Sequence, residues 1–148
     1  MKRTTVLIII LSCFLVTQTY ADSHKKSRHD GYGLDTKFFH KVQQTLANQE
    51  ELGISDAQYE KIKTLKVNLK KDLIKRKAEI ELISVDIKSK LWEDTIDKEG
   101  IYKLIDQKYE LKKAMAKALV EACATFKGIL TDDQNKKLKG ILKKSRSN

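Results

Sequence analysis

The chain has 148 residues, 34% of them charged and only 7% aromatic, with no proline and a formal charge of +10. This proline-free balance, rich in Lys, Leu, Ile, Glu, Ala and Asp, suits long helices or coiled coils. It fits poorly with an aromatic-rich β-sandwich or with an enzyme built on a deep core.

The first residues read as a separate segment. Lys2 and Arg3 form a basic start, and Val6 to Val16 form an apolar run of eleven residues. As a helix that run rises only about 16 Å, too short to span a bilayer. Thr19 and Ala21 suit the small-residue positions of a signal peptidase site, so residues 1–21 are expected to be a signal peptide cleaved after Ala21. Ile10-Leu11-Ser12-Cys13 has some lipobox character, which would make Cys13 an acylated first residue. The apolar run continues past Cys13, however, and the polar stretch ending at Ala21 would then have no purpose. Soluble export is the better reading.

Removing residues 1–21, with Lys2 and Arg3, lowers the formal charge from +10 to +8. In an exported compartment, nucleic acid is not the partner such a charge implies. Unfolded or acidic proteins and anionic membrane surfaces remain. One cysteine, Cys123, is left, so no intramolecular disulfide can form. It reads as a small buried residue, with an intermolecular disulfide as the alternative.

Residues 22–35 have no apolar periodicity and read as a mobile basic leader. A helical domain is expected over 36–144, with a frayed tail at 145–148. Asp35 or Thr36 can cap a first helix over 36–51, in which Phe38, Phe39, Val42 and Leu46 recur at helical spacing. Gly53 follows where a left-handed cap should stop it. Ser55-Asp56-Ala57-Gln58 is then a capping box, with Ile54 and Tyr59 placed to staple over it. The stripe Ile62, Leu65, Leu69, Leu73, Ile80, Ile83, Ile87 and Leu91 predicts one helix from Asp56 to about Trp92, roughly 55 Å long. Asp97 is expected to cap a second long helix, whose stripe runs from Ile101 to Phe126 and which should fray at Gly128. Thr131-Asp132-Asp133-Gln134 repeats the box before a short last helix. Here Asn135 stands where an apolar staple residue would be.

The predicted fold is all-α: a long antiparallel helical hairpin with a short helix at each end. Two helices cannot enclose both of their own stripes, so a homodimer is expected to bury one hairpin against its mate.

With the residues ahead of them, Leu52-Gly53-Ile54-Ser55-Asp56-Ala57-Gln58 and Ile129-Leu130-Thr131-Asp132-Asp133-Gln134 resemble the paired LTxxQ motifs of the Spy/CpxP family of periplasmic proteins. The first copy has Ile and Ser where the motif has Leu and Thr. The likeness covers roughly Phe38 to Leu142. It implies a cradle-shaped dimer acting as an ATP-independent chaperone for unfolded proteins, as an adaptor on a sensor-kinase domain, or in a zinc response. A structural helical spacer, lipid-anchored through Cys13, is a further alternative.

Lys63, Lys66, Lys70, Lys71, Lys75, Arg76 and Lys77 form a basic cluster on the first half of the long helix, of which Lys63, Lys66, Lys70, Arg76 and Lys77 are the candidate contacts. With one of Phe38 and Phe39, they are candidates for holding clients; a solvated helix face is the plainer reading. Ser55, Gln58, Thr131 and Gln134 read as structural caps. His24 and His29 could contribute to a zinc site, though only if a dimer or further ligands complete it. No nucleophile–base pair or phosphate loop is visible, and no enzyme activity is expected.

Overall fold

The computed structural model describes residues 33–145. The expected signal peptide, Cys13, His24, His29 and residues 146–148 lie outside them. Five helices follow in order: α1 (Leu34–Ala47), α2 (Gln49–Leu52), α3 (Asp56–Leu91), α4 (Lys98–Ile129) and α5 (Asp132–Lys144). The described residues contain no strand, and the fold is all-α. The two long helices pair as a hairpin across residues 92–97, while α5 packs on α1 and α2.

Helix starts follow the cap chemistry in three cases. Ser55 and Thr131 each accept a hydrogen bond from the backbone N–H three residues on, and Gln58 and Gln134 reach back to the cap N–H groups. Asp97 accepts from the Gly100 N–H at 2.9 Å. A Cβ at position 100 would meet the Asp97 carboxylate, so any larger residue there would require the capping side chain to shift.

The first helix departs from expectation. It begins at Leu34, inside the segment read as leader, and its cap is Gly33 with no side-chain bond. Asp35 lies within the first turn, where it accepts from the Thr36 N–H at 2.8 Å and from Lys77 at 3.2 Å. An aspartate there also complements the positive end of the helix dipole. The helix is not continuous to residue 51 either. Asn48 leaves helical geometry, and its side chain donates to the Gln44 carbonyl at 2.7 Å. A separate single turn, α2, follows. Gly53 ends it at φ 63°, with Ile54 N–H donating to Gln49 O and Gly53 N–H to Glu50 O. Those paired bonds are a Schellman stop, which requires the left-handed residue.

At the other end of the hairpin pair, α4 runs through Gly128 to Ile129 rather than fraying there. Its last carbonyls have side-chain partners: Gln58 donates to Ile129 O, and Asn135 to Lys127 O and Leu130 O. These bonds satisfy acceptors that a helix C-terminus otherwise leaves open. Asn135 is therefore a polar tie in place of a staple.

The core lies at one end. Phe38 and Val42 of α1, Leu52 of α2, Ile62, Leu69 and Leu73 of α3, Leu119, Ala122 and Phe126 of α4, Leu130, and Leu138 of α5 form one buried cluster. Phe126 and Phe38 meet edge to face at 6.1 Å. Beyond Leu73 no side chain of α3 is fully buried, and Ile80, Ile83 and Ile87 are half-buried. The described residues thus form a multi-helix body continued by a two-helix arm.

Candidate interaction surface

The two capping boxes meet in space, although their glutamines are 76 residues apart. Gln58 Nε2 donates to Ile129 O at 2.8 Å and to Gln134 Oε1 at 2.9 Å. Gln134 Nε2 donates to Gly53 O at 2.8 Å and to Gln58 Oε1 at 3.1 Å. Each Oε1 also accepts its own cap N–H, from Ser55 at 3.1 Å and from Thr131 at 2.9 Å. Each amide therefore uses two donor and two acceptor positions, its full capacity. The arrangement is pseudo-two-fold: each glutamine reaches the carbonyl two residues ahead of the other box. Either Glu or Gln can complete a lone capping box, but only an amide both accepts the cap N–H and donates across. The shared choice of Gln was the available sequence signal for this clasp.

The basic cluster is largely engaged with α1. Lys66 donates to Gln43 at 2.7 Å, Lys70 lies 5.3 Å over the Phe39 ring, and Lys77 pairs with Asp35 at 3.2 Å. As positions rise along α3 they fall along α1, so these contacts run as an antiparallel zipper holding α1 against the hairpin. Arg76 Nε donates to both carboxylate oxygens of Asp72 on its own helix, at 2.9 and 2.8 Å. That carboxylate raises the guanidinium's pKa further. Lys63 pairs with Glu60 at 3.2 Å and remains exposed. Phe38 is buried and Phe39 half-buried between Phe38 and Lys70, so neither is freely exposed. Ser55, Gln58, Thr131 and Gln134 occupy the clasp.

Another cation sits within the body. Lys41 lies 5.4 Å over the Phe126 ring, and burial holds its pKa below the ordinary lysine value. Lys139 and Lys127 push it the same way, against an opposing pull from Cys123, which is half-buried.

Most of the open apolar surface is on the arm and its tip, with Leu34, Val67, Ile74 and Val120 exposed on the body. Trp92 is 89% exposed, Leu82 65% and Tyr109 62%, and Val85, Leu91, Ile96 and Tyr102 are also exposed. Half-buried Ile83 and Leu111 line a shallow groove between α3 and α4 with Leu82 and Ala114. Periodicity marked Ile83, Leu91 and Leu111 as seam residues. It gave no account of Val85, Trp92, Tyr102 or Tyr109, which lie off that seam. Large exposed apolar patches commonly mark interaction sites. Among the described residues, no group of three or more His, Cys, Asp or Glu is placed to hold a metal ion. No described helix is long and apolar enough to cross a membrane.

With this geometry in view, the class is that of an all-α helical-hairpin protein. No family model matches the chain, and no curated protein and no solved structure matches it. Any functional reading therefore rests on the surface itself.

Proposed function

We propose that the protein is an exported, non-catalytic binding platform of the Spy/CpxP kind, which holds non-native polypeptide without ATP. The observation carrying this reading is the arm: large apolar side chains left open on a stiff, proline-free hairpin whose other end is locked by the body. Shallow apolar contact of this kind holds a segment weakly enough to release it. A preformed scaffold also limits the ordering cost of capture. In this reading the lysines facing α1 build the platform, and the arm meets the client. An adaptor role on a sensor domain would use the same arm. The working unit is a homodimer, in which the second copy covers the outer apolar positions Val67, Ile74 and Val85.

The test adds the mature protein to an unfolding client at substoichiometric and equal ratios. Suppressed aggregation is expected. Replacing Trp92 and Tyr109 with Ser should weaken it while leaving the helix content unchanged. No suppression at either ratio overturns the chaperone reading.

A further inference from the structure

The arm differs from the body in charge as well as in burial. Residues 78–113 carry nine acidic and seven basic side chains, a net −2. The other described residues, 34–77 and 114–145, carry seventeen basic and nine acidic side chains, a net +8. The basic character of the whole chain therefore does not extend to the surface that is apolar and open.

The groove between α3 and α4 concentrates this difference. It has a volume of about 670 Å³, with Leu82, Ile83 and Leu111 among its lining and a carboxylate from each helix, Glu79 and Glu110, beside them. Gln107 supplies a neutral hydrogen-bonding group. The Glu110 carboxylate is paired only with exposed Lys113 one turn on, at 3.2 Å. Glu79 acts through space on Arg76, whose Nε already donates to Asp72. Both carboxylates thus remain able to receive a further cation. An acidic segment would meet repulsion from both sides of the groove, and like-charge juxtaposition is how interfaces reject wrong partners.

We infer that the groove takes an extended polypeptide segment in which apolar side chains adjoin Lys or Arg, the apolar groups seating on Leu82, Ile83 and Leu111 and the cation between Glu79 and Glu110. This deepens the platform reading and rests on it. It reverses the expectation, drawn from net charge alone, that acidic segments are the preferred partners.

The test uses the full mature chain and two labelled peptides of equal length with the same leucines, one carrying lysines and the other glutamates. Fluorescence anisotropy should show the lysine peptide binding about fivefold more tightly or better, the value of roughly one exposed ion pair. That margin should shrink as salt rises. The double variant Glu79→Gln, Glu110→Gln should bring the two peptides toward parity, and Leu82→Ser should weaken both. Equal binding of the two peptides, or tighter binding of the glutamate peptide, overturns the inference. If aggregation suppression persists in that case, the platform reading stands. A lysine preference untouched by the double variant overturns the assignment to this groove.

Discussion

Gln134 is only 8% exposed and sits where four hydrogen bonds converge. Truncating it strands Gly53 O and half of the Gln58 amide. A buried polar group left without its partner costs about 1–3 kcal/mol. Gln134→Ala is therefore expected to lower unfolding stability by about 2 kcal/mol in a denaturant titration. Gln58→Ala should cost a similar amount, with the double variant costing clearly less than the sum because the residues share bonds. Additive losses would mean that the clasp does not act as one unit. Asp35 provides a pH test at the same scale. Burial pushes its carboxyl up, but the Lys77 ammonium and the Thr36 N–H together hold it below the ordinary value. A carboxyl depressed in the folded state contributes stability above its unfolded pKa and loses it as pH falls through the folded value. Asp35→Asn should therefore lower stability by a constant amount above the carboxylate range and flatten the fall on the acid side, where the wild type loses the same contribution. The measurement is the melting temperature across a pH series.

At the scale of elements, α1 is held by two unlike kinds of contact. Phe38 and Val42 are buried in the shared core, whereas Lys66, Lys70 and Lys77 make exposed contacts. A Phe-to-Ala change in a core costs about 3–5 kcal/mol, and an exposed ion pair contributes about 0–1 kcal/mol. Phe38→Ala should accordingly release α1, read as faster amide exchange over residues 34–47. Lys77→Ala should change stability by under about 1 kcal/mol and mute its salt dependence. How much of this was legible in sequence differs between the two kinds. Phe38 and Val42 stood out by their spacing. The partners of Lys66 and Lys77 lie 23 and 42 residues away, and a helical periodicity carries no information about a contact at that separation. Asp35 was misread for a related reason: its sequence suits a cap, but Lys77 rewards its place inside the helix.

Over the whole molecule, stability and binding are expected to separate. The body contains nearly all of the buried side chains, whereas most of the large exposed apolar ones, including Trp92, Leu82 and Tyr109, lie on the arm. Surface changes away from packed or bonded features usually alter stability by no more than about 0.5 kcal/mol. Trp92→Ser and Tyr109→Ser should thus leave the unfolding midpoint unmoved while reducing client capture. Self-association is a further expectation at this scale. Sedimentation velocity should show a dimer that Val67→Lys with Val85→Lys returns to monomer; a monomer at every concentration would remove the dimer from the reading.

The amino-acid sequence by itself determined the helices, most of their boundaries, and which stripe on each long helix is apolar. Those properties depend on neighbours within a few residues: cap hydroxyls, a left-handed glycine, and side chains repeating every three or four positions. Tertiary structure alone decided which stretches of stripe are covered. It placed α1 and α5 over one end of the hairpin, joined two capping boxes through their glutamines, and set Lys66, Lys70 and Lys77 against α1. It also left an arm that is apolar and net acidic. Burial depends on what stands opposite a side chain, and that is set by residues distant along the chain.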